Sequence, residues 1–196
     1  MKYIYVFFLI LLFKTSSVLS QEIKWQKDSL LTWNNFRGPI EPNRGVSAVV
    51  YCGMKYSYRY YPSVKDSGYT AKFEVYSYVD PTKSWSMKER ECPPLLNHEQ
   101  GHFNICEYFA RQLKLALESA RYTKKVNEEV KAIYDKYELQ LNKMHHVYDT
   151  QANHGADVHI QAKWNTFIAA LLSNNPSLEE TLKAVNSVNA DANYYQ

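Results

Sequence analysis

Cysteine is scarce in this 196-residue chain: there are three, Cys52, Cys92 and Cys106. An odd count leaves at least one thiol over, so no closed disulfide framework can carry the fold. Charge of one sign is lacking too. The chain has 23 basic and 20 acidic residues. Loss of residues 1–20 would take Lys2 and Lys14 and leave 21 basic residues, a net charge near +1. That balance gives no electrostatic case for nucleic acid as a partner. Long apolar runs are also missing. The run from Tyr3 to Phe13 is eleven residues, too short to span a bilayer. It follows Lys2 and precedes small residues ending in Val18-Leu19-Ser20. This is the pattern of a signal peptide, with cleavage expected after Ser20 and no cysteine there for a lipid anchor. The expectation is a secreted or periplasmic protein with no stable membrane insertion after cleavage.

What is present is a globular composition. Hydrophobic residues make up 45% and tyrosine alone numbers 17, which suits strands and cleft walls. The expected architecture is α+β. A single domain is expected over residues 21–175, then a short helix and frayed tail over 176–196, with no internal repeat or low-complexity segment.

Leu31 to Pro39 reads as an aromatic loop whose Trp33 and Phe36 pack on the core. Val46 to Tyr61 alternates with period two, and so does Thr70 to Asp80. They predict two strands of an antiparallel hairpin, bent or broken at Gly53, with a turn from Pro62 to Gly68. Pro93 and Pro94 mark the start of a largely buried helix running to about Arg121. Thr123 to about His146 carries an amphipathic stripe and predicts a second helix. Val147 to Gly155 reads as a polar break, Ala156 to Leu172 as a third helix. Ser177 with Glu180 forms a capping-box pattern that opens a short fourth.

The first long helix contains Asn97-His98-Glu99-Gln100-Gly101-His102. His98 and His102 stand four apart, on one helical face, where two imidazoles can share one metal ion. Glu99 between them points along the neighbouring face, as the general base of a metal hydrolase requires. Gly101 costs about 1 kcal/mol in a helix relative to alanine, which close approach of another backbone would justify. A catalytic metal site needs a third protein ligand. His145, His146, Asp149, His154, His159, Glu118, Glu128 and Glu129 are candidates. His154 is favoured because it follows the polar break and precedes Gly155, which would let the backbone approach the first helix.

The cysteines leave more than one pairing open. Cys92 and Cys106 cannot join if a helix begins near Pro94, since twelve helical residues span about 18 Å. Cys52–Cys92 is geometrically open, and burial as small apolar residues fits equally. Cys106, one turn after His102, leans toward the metal position but reads first as a core residue.

Together these residues resemble a bacterial family of predicted secreted zinc-dependent proteases, grouped as domain of unknown function 922. The resemblance runs from Leu31 to Trp164. It is carried by Leu31-Thr32-Trp33 with Phe36 and Gly38, by Ser84-Trp85, and by Leu95 to Phe103. A last block matches at Tyr148-Asp149, Asn153-His154-Gly155, Gln161 and Trp164. It implies a compact zincin-like domain in which His98, His102 and His154 bind zinc and Glu99 is the base. It further implies that Tyr148 contacts the oxyanion and that Asp149 orients a ligand from behind. At Asn104 family members carry an acid, and at Ala152 a threonine. Asn104 would therefore stand beside the ligand shell without charge. The function implied is hydrolysis of peptide bonds, with a peptide or protein as substrate. A zinc-stabilised binding module and a metal amidase acting on cell-wall crosslinks are the alternatives.

Overall fold

The two alternating runs form the hairpin that organises the sheet. In the computed structural model β3 (Cys52–Pro62) and β4 (Tyr69–Val79) pair antiparallel, from Cys52 opposite Val79 to Pro62 opposite Tyr69. A short β1 (Ile23–Lys24) adds to the other edge of β4, giving the order β1-β4-β3. The structure describes residues 22–28, 30–41, 45–63, 67–185 and 188. The expected signal segment and cleavage point lie outside the described residues, as do residues 64–66 of the hairpin turn and the tail from residue 189.

The long run beginning at Val46 is interrupted earlier than Gly53. β2 (Ala48–Val49) leaves the main sheet and pairs antiparallel with β5 (Trp85–Ser86). At the break, side chains capture the backbone donors. Val50 N–H donates to Glu99 Oε2 at 2.8 Å, and Tyr51 N–H donates to Ser84 Oγ at 2.9 Å. The ladder gives way because its donors are satisfied by other elements. Gly53 remains inside β3.

Helix α1 (Pro93–Ser119) starts with prolines in its first turn, where their missing N–H groups cost nothing. It lies across the sheet and is buried on most of its surface. Ile105, Phe109 and Leu113 share one core with Met54 and Phe73 of the hairpin. Phe103 joins a second cluster with Leu31, Phe36, Val50 and Val79, so the aromatic loop does pack on the core through Phe36.

Helix α2 (Val126–Ala152) continues through Tyr148 and Asp149, where the polar composition of Val147–Gly155 reads as a break. Those residues are polar because this end of the helix faces a polar site. The helix stops at three successive left-handed residues, Asn153 (φ 47°), His154 (φ 50°) and Gly155 (φ 81°). Two are not glycine and cost of order 1–3 kcal/mol each. Four backbone donors tighten the turn, among them His154 N–H to Asp149 O and Asp157 N–H to Ala152 O. Helix α3 (Val158–Asn174) is capped by Asp157, whose carboxylate accepts from the N–H groups of His159 and Ile160. Helix α4 (Leu178–Ala184) opens with the reciprocal Ser177–Glu180 capping box. It docks where the Tyr108 hydroxyl meets Thr181 Oγ1 at 2.6 Å.

Gly101 explains how α1 and α2 approach each other. A Cβ at this position would stand 2.8 Å from Tyr148 Cζ and closer still to the hydroxyl. Tyr148 is fully buried, so the ring has no room to withdraw. Gly101→Ala should therefore destabilise the protein by roughly 1–3 kcal/mol through overpacking, against the helix-propensity gain. Chemical denaturation of the two proteins measures the sign.

Candidate metal centre

Helix α1 presents His98 and His102 one turn apart, and α2 brings Asp149 against both. Asp149 Oδ1 lies 3.0 Å from His98 Nε2 and 2.9 Å from His102 Nε2. The three donor atoms lie within 4.8 Å of one another. His98 is buried, His102 nearly so, and Asp149 partly exposed. They open into a cavity of about 300 Å³ that also receives Glu99, His145 and His154.

The tautomer of His98 follows from its other nitrogen. Gln161 donates through Nε2 to the Tyr148 hydroxyl at 2.7 Å and to Asn165 Oδ1 at 2.8 Å. Its Oε1 is therefore the atom facing His98 Nδ1, at 3.0 Å. That nitrogen must donate. In the neutral ring Nε2 is then a bare lone pair directed at the Asp149 carboxylate. Two acceptors face each other, and only a proton or a metal cation between them resolves the conflict. The donor chemistry of this chain thus fits a divalent ion held by nitrogen and oxygen.

Charges in the cluster are strongly coupled. Burial alone would raise the Asp149 carboxyl, but hydrogen bonds and charge from His102 and His98 outweigh it and hold it well below the usual carboxylate range. Burial alone would lower His102, yet its hydrogen bond to Asp149 and the charges of Asp149 and Glu99 raise it. Glu99 is pushed up, chiefly by burial. His145 is pushed down to about 3 by burial and by the neighbouring charge of His102.

The sequence-predicted residues are placed unequally. His98, His102 and Glu99 reach the cavity. His154 stands one step outside the donor group, with Nδ1 3.5 Å from Asp149 Oδ1 and its ring centroid 6.4 Å from that of His98. Asp149, expected behind a ligand, itself joins the candidate donor group. The reason is that α2 runs to Ala152 and carries Asp149 into the cluster on its last turns. Gly155 does let the turn pass against α1: a Cβ there would stand 2.8 Å from His98 Cβ. The Tyr148 hydroxyl is not in the cleft. It donates to His98 O at 3.2 Å and its ring stacks on His98 at 4.5 Å, so Tyr148 positions the imidazole. Asn104 lies about 200° around α1 from His102, on the far face. Its Oδ1 accepts from Trp25 Nε1 and Gln100 Nε2, and it lines a separate cavity.

One contributor carried no assigned role from sequence, and one strand read as a possible substrate edge borders the site. Gln161 fixes His98, and its signal was a lone amide on the buried face of α3 beside Ile160 and Trp164. The segment Val46–Val50 walls the cavity. Ser47 O accepts from Met87 N–H and Tyr51 N–H points at Ser84, so the odd-numbered backbone groups face β5. By alternation Ala48 faces the other way, with Val50, toward Glu99.

Residues 26–155 match the family model described as "Bacterial protein of unknown function (DUF922)", well over half of the chain. Comparison with the curated proteins and with the solved structures gives no match.

The shifts fix a pH dependence for the metal-free protein. His102 is raised, so its contribution to stability is complete below about pH 6.5 and is lost as pH rises through its folded value. Asp149 is lowered, so its contribution is complete above about pH 3.9 and is lost only on strong acidification. Chelator-treated protein should lose stability as pH rises above about 6.5 and through the folded value of His102. Asp149→Asn should remove most of that slope. Denaturation followed across that rise in pH, with and without chelator, tests both.

Proposed function

We propose that this chain, which belongs to the DUF922 family, is a zinc-dependent peptidase that is exported and acts on extended peptide segments. The observation that carries the reading is His98, held at Nδ1 by Gln161 Oε1, turning Nε2 to the Asp149 carboxylate at 3.0 Å in a cleft shared with buried Glu99. His98 and His102 would hold zinc through Nε2, and Asp149 through Oδ1. When bound, zinc polarises a carbonyl and lowers the pKa of a water. Export rests on the basic start and short apolar run of residues 1–20.

The remaining work falls to this chain's own groups. Glu99 is anchored by Val50 N–H and pushed above the usual carboxylate value by burial, the direction that strengthens a carboxylate as general base. It would accept a proton from the attacking water and return it to the leaving amine. Tyr148 and Gln161 keep His98 in one tautomer. The Ala48 edge, turned toward Glu99, can pair with an extended substrate main chain.

A second ligand arrangement is favoured by the strained turn at residues 153–155. It puts His154 on the metal and Asp149 behind it. The two arrangements separate cleanly. If Asp149 is a ligand, Asp149→Asn loses zinc and His154→Ala keeps it; the reverse pattern assigns His154.

Glu99→Gln keeps the acceptor for Val50 N–H but cannot take a proton. It should retain zinc and lose about 10²–10⁴-fold in hydrolysis of a peptide library. Zinc retained in both proteins with no cleavage by either would leave a zinc-binding module as the reading. Cleavage of peptidoglycan in place of peptides would identify an amidase.

A further inference from the structure

The α1–α2 seam carries a second tier of donors that the proposed reaction does not use. Helix α1 continues the line of His98 and His102 one turn further to Cys106. Helix α2 carries His145 one turn before Asp149. Cys52, at the start of β3, completes the group. Cys106 Sγ lies 3.2 Å from Cys52 Sγ and 3.7 Å from His145 Nε2. All three donor atoms lie within 4.8 Å of one another.

From this convergence of two thiols and an imidazole on three separate elements, we propose that the chain binds a second, thiophilic divalent ion of the zinc class at Cys52, Cys106 and His145.

Core packing alone explains Cys106, which is fully buried. It does not explain why a partly exposed cysteine and an imidazole turn their heteroatoms to the same sulfur. Two thiolates and one imidazole are a preferred zinc donor set, with one position left open. Metal–sulfur bonds of about 2.3 Å in tetrahedral geometry set the sulfurs about 3.8 Å apart. The observed 3.2 Å is about 0.6 Å short of that, within reach of side-chain rotations at the two cysteines. Binding would release two thiol protons to solvent and leave the metal oxidation state unchanged.

The cluster has access from two sides. Cys52 lines a cavity of about 210 Å³ with Met54, Tyr134 and Glu138. His145 lines the cavity of the first centre. His102 and His145 meet edge to face with ring centroids 4.8 Å apart, so the two tiers adjoin without sharing a donor.

The same two thiols could instead join as a disulfide, which requires a two-electron oxidant and gives His145 no part. The experiment distinguishes these. Fully reduced full-length protein is titrated with cadmium, a thiophilic probe, while thiolate-to-cadmium charge-transfer absorption and bound metal are measured. The expected result is two equivalents bound, with a charge-transfer band that saturates with one of them. Cys106→Ser and Cys52→Ser should each lose the band and retain one equivalent. Cys52 is partly exposed, so its variant guards against a folding failure at buried Cys106. A His98→Ala/His102→Ala variant should keep the band, which separates this site from the first. Absence of the band, or a band lost in Cys92→Ser and kept in Cys52→Ser, would overturn the proposal. So would conversion of Cys52 and Cys106 to a disulfide in the presence of saturating cadmium.

Discussion

One carboxylate oxygen holds the centre of this molecule together. Asp149 Oδ1 draws in the Nε2 atoms of His98 and His102 and so ties the end of α2 to the middle of α1. Burying charge is costly unless each group is paired and hydrogen-bonded. Here every layer outward supplies a partner: Gln161 for the far side of His98, Tyr148 for Gln161, and His98 O for Tyr148. Tyr148 stacks on His98 and meets Trp164 at a tilt, which links this polar chain to the apolar core. Remove the carboxylate and the two imidazoles lose the partner they share.

The approach of the two helices depends on residues without bulk. Gly101 admits the Tyr148 ring, and Gly155 admits the turn after α2. Gly155 meets His98 directly, and Gly101 meets the Tyr148 ring that stacks on it. The left-handed turn at 153–155 costs backbone energy, and the hydrogen bonds it closes onto Asp149 O and Ala152 O offset part of it.

The hairpin, the buried first helix and the His98–His102 pair were legible in the sequence, because each rests on local periodicity. The Ser177–Glu180 box was legible for the same reason. The end of α2 was not. Its last turns are polar since they face a charged cluster, and a composition rule takes such a stretch for a loop. With α2 extended, Asp149 joins His98 and His102 in the candidate donor group, and His154, the expected third ligand, stands next to Asp149. Asn104 shows a different limit: family position suggested the ligand shell, while helical phase puts the residue beside Trp25. The contact of Cys52 with Cys106 joins residues 54 apart in the chain, which no local pattern encodes.

Sequence distance has a consequence for folding. His98 meets Asp149 across 51 residues and Gln161 across 63. Closing loops of that length is paid in chain entropy before any contact rewards it. The hairpin and the individual helices can form early from near neighbours, but the imidazole cage exists only once α3 has docked. An ion held by these donors would therefore be captured late in folding. The bound ion would act as a latch that slows unfolding of an already assembled chain.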